Sequence, residues 1–78
     1  MSAAEKLGHA VRRSRRAAGL SQSELAAMSG AGLNFISQLE RGKATVRLEL
    51  VFAVLHVLGL ELHLQRGKST FTVEEELS

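Results

Sequence analysis

The chain has 78 residues and no cysteine, so it has room for one small domain, without disulfides or Cys-ligated zinc to stabilise it. The net charge is +2, but residues 1–68 carry all ten Lys and Arg against five acids, a balance of +5 that favours a polyanionic partner. No apolar stretch reaches the roughly 20 residues of a membrane span and the N-terminus lacks a signal-peptide core, so we expect a soluble, cytoplasmic protein.

Four amphipathic helices are predicted first, over about residues 3–18, 22–29, 33–41 and 47–58. The chain has no proline, and glycines mark the ends of these segments. Ser21 followed by Glu24 is the capping-box pattern of a helix start. The residues expected to face inward share helical spacing and are Leu7, Val11, Leu25, Met28, Ile36, Leu39, Leu48, Val51, Phe52, Leu55 and Leu58.

A β-strand is predicted next, over residues 60–65, because the apolar period changes there from 3.6 to 2. Leu60, Leu62 and Leu64 fall on one face. A single strand cannot satisfy its own backbone groups, so it pairs either with the same strand of a second subunit or with residues 69–73 in a hairpin that turns at 66–68. We expect the first arrangement, because an isolated hairpin is only marginally stable.

Residues 22–41 carry the most informative motif. Ala26 is small where a second helix must approach closely, Gly30 permits a sharp turn, and Ile36 and Leu39 seal the far side. These constraints are typical of a helix-turn-helix, whose second helix enters the major groove of DNA.

Two charges lie on faces that are otherwise apolar. Arg15 follows Val11 by four residues, and Glu40 follows Ile36 by four. Because an unpaired charge is costly to bury, we expect Arg15 and Glu40 to form an ion pair that ties the first helix to the third. The alternative is that both side chains reach out to solvent.

The segments VRRSRRAAGLSQSELA, FISQLERGK and VLGLELHL, between Val11 and Leu64, resemble the XRE family of lambda-repressor-like regulators. Within that family the chain is similar to the HipB-type antitoxins, which end in a short strand after the last helix. The resemblance implies a mainly α fold. It would comprise a four-helix DNA-binding domain over residues 1–65 with one C-terminal strand that pairs across a dimer, and a partly disordered tail over 66–78.

The resemblance also implies which residues meet DNA. The start of the third helix would read base edges through Gly32, Leu33, Asn34, Ser37 and Gln38, and the two amides suit adenine. The residues expected at the DNA backbone are Gln22, Ser21, Phe35, Arg41, Lys43 and Arg12. The strand leucines Leu60, Leu62 and Leu64 would form the dimer surface.

The function implied is a transcriptional repressor that binds operator DNA as a homodimer and is the antitoxin of a HipA-like kinase toxin. A stand-alone or phage-type repressor is one alternative, and a protein-interaction module that kept the fold without binding DNA is another. Neither a catalytic constellation nor a metal-ligand spacing occurs among His9, His56 and His63, so we expect no enzyme, no metal and no cofactor.

Overall fold

The computed structural model describes residues 1–64, Arg66 and the backbone of Thr72–Glu75. Four helices are followed by a two-stranded antiparallel sheet. The elements in chain order are α1 (Ala3–Ala17), α2 (Gln22–Ser29), α3 (Leu33–Glu40), α4 (Leu48–Leu58), β1 (Leu60–His63) and β2 (Thr72–Glu75). The mainly helical fold and the four predicted helices are confirmed, with helix ends shifted by at most one residue.

The helix starts follow local hydrogen bonding. The predicted capping box at α2 is present, since the Ser21 hydroxyl accepts from the Glu24 backbone N–H and the Glu24 carboxylate accepts from that of Ser21. A second capping box, Ser2 with Glu5, starts α1. Each box satisfies backbone donors that the first helical turn leaves without partners.

The core lies where α1, α2 and α3 meet α4. Its fully buried side chains, each less than 2% exposed among the described residues, are Leu25, Ile36, Leu39 and Leu55 with Val11, Val51 and Val54. Leu60 of β1 extends this core. Burying side chains of this size contributes roughly 1.5–3 kcal/mol each, so the cluster is the main source of the domain's stability.

Three residues predicted to face inward do not. Met28, Leu48 and Phe52 are 59%, 60% and 51% exposed. The buried side of α4 centres on Val51, Val54 and Leu55, and Leu48 and Phe52 lie outside that side, exposed at the surface of the described residues. The short α2 buries only Leu25 and Ala26, which leaves Met28 at the surface.

Gly8 allows α1 to pack closely on the end of α3. A Cβ at this position would lie 2.4 Å from the Leu39 carbonyl oxygen and 2.9 Å from that of Glu40. Because both contacts are with backbone, a side chain here would force the two helices apart. The absence of a side chain at Gly8 therefore sets the spacing between the first and third helices.

The predicted strand is present as β1, but its partner differs from the one we expect. It pairs with β2 of the same chain, with Leu60 opposite Glu75 and His63 opposite Thr72. This is the alternative hairpin, with its second strand placed later than residues 69–73. Pairing within the chain satisfies one edge of β1 without a second subunit. The expected turn at 66–68 and residues 69–71 lie outside the described residues, except for Arg66.

No helix in the described part of the chain is long and apolar enough to span a bilayer.

Candidate nucleic-acid interface

The turn between α2 and α3 is built by two glycines and a serine. Gly30 ends α2 in the left-handed conformation, with φ +72°, and its N–H donates to the Ala26 carbonyl. The Ser29 hydroxyl accepts from the Ala31 N–H. Gly32 begins α3 with φ +86°, a conformation that glycine adopts far more readily than other residues. The turn is thus held by its own short-range contacts.

The backbone at Gly32 explains why this first position has no side chain to offer a base. Nothing lies within 4 Å of where its Cβ would be, so space is not the constraint. The positive φ is. The sequence interpretation counts Gly32 among the base-reading positions, and the structure gives the residue a conformational role as well.

One face of α3 is buried and the opposite face is open. Ile36 and Leu39 are 0% and 1% exposed and hold the helix against the core. The residues predicted to read bases lie on the other side: Leu33 and Asn34 are exposed, and Ser37 and Gln38 are half-buried. The five positions from Gly32 to Gln38 that we expect to read bases are therefore accessible together along one helix.

The predicted ion pair is present and buried. Arg15 Nε donates to Glu40 Oε2 at 2.6 Å, and Arg15 Nη2 donates to Glu40 Oε1 at 3.0 Å. Arg15 Nη1 also donates to the Leu20 carbonyl at 2.9 Å, which joins the α1–α2 turn to the pair. Both residues are less than 10% exposed. The alternative, in which both side chains reach solvent, is wrong.

Gln22, the first residue of α2, completes this network. Its Nε2 donates to Glu40 Oε1 at 3.1 Å. Burial alone raises the pKa of the Glu40 carboxyl, but the hydrogen bonds from Arg15 and Gln22 outweigh it and hold that pKa below its ordinary value of 4.5. The hydrogen bonds with Glu40 raise the pKa of the Arg15 guanidinium. The network fixes α3 relative to α1 and α2, and it occupies one N–H of the Gln22 amide that we expect at the DNA backbone.

The other residues expected at the DNA backbone surround α3. Arg41 and Lys43 are exposed just beyond its end, and Arg12 is exposed on α1 close enough to Glu40 to lower the pKa of that carboxyl. The Ser21 hydroxyl is already engaged as a helix cap. Phe35 is half-buried and packs against the core, so its ring is partly committed to the domain itself.

The three strand leucines that we expect at a dimer surface differ in exposure. Leu60 is 5% exposed and packs in the domain's own core, whereas Leu64 is 88% exposed, with Leu62 between them. A surface hollow of about 320 Å³ lies where α4 meets β1. It is lined by Phe52, Leu55, His56, Leu60, Glu61 and Leu62. The sequence interpretation misses Phe52 and Leu48, which make this face more apolar than the strand alone.

His56 is exposed on α4, and His63 Nε2 lies 3.2 Å from the Glu61 carboxylate on β1. Among the described residues, no group of three or more His, Cys, Asp or Glu side chains is arranged to hold a metal ion.

Two short helices joined by a tight turn, the second with one open face, are typical of the helix-turn-helix class of DNA-binding domains. Residues 11–65 match the sequence model of the helix-turn-helix family HTH_3, and the chain belongs to that family. It is a DNA-binding transcriptional regulator of the XRE type.

The relatives agree with this class. An uncharacterized HTH-type transcriptional regulator, y4mF, from Sinorhizobium fredii is 43% identical over 56 residues, which are 72% of this chain and 74% of the relative. The restriction-modification controller protein C.AhdI from Aeromonas hydrophila has a similar structure, with a TM-score of 0.65 and 34% identity over 70% of this chain and 83% of its own.

The clp gene regulator ClgR from Corynebacterium glutamicum is similar with a TM-score of 0.64 and 41% identity, over 72% of this chain and 60% of that protein. These relatives are regulators with a DNA-binding fold, and the chain is accordingly not an enzyme. None of the three is described as an antitoxin.

Proposed function

We propose that this protein is a sequence-specific transcriptional repressor that binds operator DNA as a homodimer, with α3 in the major groove. The observation that carries the proposal is the open face of α3, on which Asn34 and Gln38 present side-chain amides one turn apart. Amide groups at this spacing offer the donors and acceptors that base edges require. Repression follows sterically when the bound dimer blocks polymerase.

The buried network behind α3 supports sequence-specific binding. Base-edge contacts require a helix held to within a fraction of an ångström, because hydrogen bonds weaken steeply with misalignment. Glu40, the last residue of α3, is held by Arg15 from α1 and Gln22 from α2. The reading face is therefore rigidly attached to the body of the domain before DNA arrives.

The cations around α3 support the second part of binding, which is contact with phosphates. Arg12, Arg41 and Lys43 are exposed on elements that flank the reading face. Phosphate contacts set the register and orientation of the protein on the duplex, while base contacts select the sequence. We assign Arg12 and Arg41 to the DNA backbone on either side of the groove, whereas Lys43 contacts the Gln38 side chain on the reading face.

The face between α4 and β1 is where we place the second copy of the chain. Leu48 and Phe52 lie one helical turn apart on α4 and are both more than half exposed, and the adjoining hollow reaches Leu62. One reading helix covers only a few base pairs, so operator binding requires a partner on a second half-site about 34 Å away. The domain measures 35 × 30 × 20 Å, dimensions comparable to that spacing.

The proposal is tested by fluorescence anisotropy with duplex DNA from upstream of the protein's own gene. We expect binding at least about a thousandfold tighter than to a scrambled duplex of the same composition, the low end of the range for specific binding. The double variant Asn34→Ala/Gln38→Ala should lose most of that ratio, and His9→Ala, exposed on α1, should keep it. Equal affinity for both duplexes would favour a protein-interaction module over a DNA reader.

A second candidate function is the antitoxin of a toxin–antitoxin pair with a HipA-like kinase. It is favoured by a strand that follows α4 after a single residue, Gly59, as the resemblance to HipB-type antitoxins implies. The pairing of β1 with β2 within the chain counts against it, because the resemblance implies that this strand pairs across a dimer. Copurification of a kinase-like protein encoded beside this gene is the test, and its absence would favour a stand-alone repressor.

A further inference from the structure

The turn after α3 places Lys43 directly over Gln38. The Gly42 N–H donates to the Leu39 carbonyl and the Lys43 N–H donates to the Gln38 carbonyl, both at 3.1 Å. Gly42 has φ +83°, so the segment from Gln38 to Lys43 forms the Schellman arrangement that ends many helices. The position of Lys43 beside Gln38 is therefore set by the backbone and does not depend on the side chains alone.

The two side chains also meet. Lys43 Nζ donates to Gln38 Oε1 at 3.3 Å. An ammonium group has only donors, so the amide oxygen must face Lys43 and the amide nitrogen must point away from it. The Gln38 amide thus has a defined orientation in the free protein.

The amide nitrogen of Gln38 is open to solvent. It has no hydrogen-bond partner within the described part of the chain, and no buried side-chain nitrogen or oxygen there lacks a partner. Gln38 itself is half-buried on the open side of α3. The pair therefore offers a ligand the Nε2 hydrogens and the remaining hydrogens on Nζ, while the ammonium group occupies one of the two lone pairs of Oε1.

A free glutamine suits adenine, because its oxygen accepts from N6 while its nitrogen donates to N7. With Lys43 on its oxygen, Gln38 has a cation where the adenine amino group would have to approach. Guanine instead presents two acceptors, O6 and N7, in the major groove. We propose that Gln38 and Lys43 act as one unit that reads guanine, which makes Lys43 a specificity-determining residue rather than a phosphate contact.

This inference rests on the proposed function, since it concerns the same reading face. It also separates the two amides of α3, because Asn34 has no such cation on its amide within the described part of the chain and keeps the expected preference for adenine. The half-site is therefore expected to contain a guanine at the position of Gln38.

The test is selection of bound sites from a random duplex library, followed by sequencing. The wild-type protein should select guanine at one position of each half-site, by about tenfold over adenine. Lys43→Met keeps the aliphatic stem but removes the ammonium group, and it should shift that single position to adenine. Arg41→Met removes a neighbouring cation, so it should weaken binding to all sites while leaving the guanine preference unchanged.

A guanine preference that persists in Lys43→Met, or adenine selected by the wild type at the position sensitive to Gln38→Ala, would overturn the inference while leaving the proposed function intact. If no sequence is enriched with the wild type or with any variant, the proposed function itself is contradicted, and the inference fails with it. Circular dichroism of each variant establishes that the helices are retained.

Replacing the selected guanine with 7-deazaguanine gives a second readout, because it removes the N7 acceptor and preserves base pairing. The wild-type protein should lose about tenfold in affinity. Gln38→Ala should be nearly insensitive to the same replacement, and an equal loss in both proteins would contradict the role given to Gln38.

Discussion

At the scale of single residues, the contact between Arg15 and Glu40 is the most consequential one in the domain. Its two ends are 9% and 7% exposed, and it links α1 to the end of α3. Breaking a buried ion pair by removing one partner leaves an uncompensated charge, which typically costs about 3–5 kcal/mol. For a domain of this size that is a large share of a total stability of about 5–15 kcal/mol.

We therefore expect Glu40→Ala to lower the free energy of unfolding in urea by about 3 kcal/mol or more. The double variant Arg15→Met/Glu40→Leu should lose much less, because it replaces both charges with apolar groups and leaves neither unpaired. A loss below about 1 kcal/mol for Glu40→Ala would mean that water reaches the pair and that it does not anchor α3.

The depressed pKa of Glu40 predicts how stability depends on pH. A carboxyl whose pKa is lower in the folded state than in the unfolded state stabilises the fold above its unfolded pKa. That contribution is lost as the pH falls from about 5 through the folded pKa. The free energy of unfolding measured in urea should therefore fall steeply between pH 6 and pH 3 for the wild type, and less steeply for Glu40→Gln.

The carboxyls of Glu5 and Glu24 provide the control for this experiment. Hydrogen bonds from the backbone and hydroxyl of Ser2 and Ser21 lower their pKa values as well, but both carboxylates are fully exposed. Glu5→Gln and Glu24→Gln should change the pH slope less than Glu40→Gln. Equal slopes in all three variants would place the acid sensitivity in the helix caps and not in the buried pair.

At the scale of the helices, Gly8 decides how closely α1 and α3 pack. Replacing an exposed helical glycine with alanine ordinarily stabilises a protein by about 1 kcal/mol. Here the added methyl would lie 2.4 Å from a backbone oxygen of α3. We expect Gly8→Ala to reverse the usual sign and to destabilise the domain by about 1–3 kcal/mol in urea unfolding.

The exposed position Arg13 on the same helix offers a matched control. Alanine and arginine have similar helix propensities, so Arg13→Ala should change stability by only a few tenths of a kcal/mol. An increase in stability for Gly8→Ala would show that the helices separate at little cost.

The sequence predicts the elements well where local rules decide them. The capping box at Ser21, the glycine ends and the helical period are all local, and the pairing of Arg15 with Glu40 follows because both charges fall on apolar faces. Gly8 is missed because a glycine inside a helix has no local signature that indicates which backbone it approaches.

Two other features depend on contacts that no local pattern encodes. Leu48 and Phe52 have the spacing of core residues, and apolar residues at an interface follow the same period as those in a core. The unpaired edge of β1 demands a partner, but alternation alone does not choose between β2 and a second subunit. The Lys43–Gln38 contact was within reach of the sequence, since glycine followed by lysine after a helix predicts a Schellman turn.

At the scale of the whole molecule, we expect the α4–β1 face to determine whether two domains act together. Phe52→Asp places a charge in the proposed contact while changing a side chain that is 51% exposed in the monomer. We expect this variant to remain helical by circular dichroism and to sediment as a monomer at concentrations where the wild type is a dimer. It should also lose affinity for a two-half-site operator.

Met28→Asp is the control, because Met28 is similarly exposed at 59% but lies on α2. It should leave the oligomeric state unchanged. A wild-type protein that sediments as a monomer at micromolar concentration would contradict the dimer. A dimer that persists in Phe52→Asp would show that the two copies meet at another surface.

The central claim is that the open face of α3 reads base edges in the major groove. The structure of the complex with a selected duplex tests it most directly. We expect α3 to lie in the groove with the Asn34 and Gln38 amides about 3 Å from base-edge nitrogens and oxygens. A complex in which α3 faces away from the bases, or in which the duplex contacts only phosphate-binding side chains, would contradict this account.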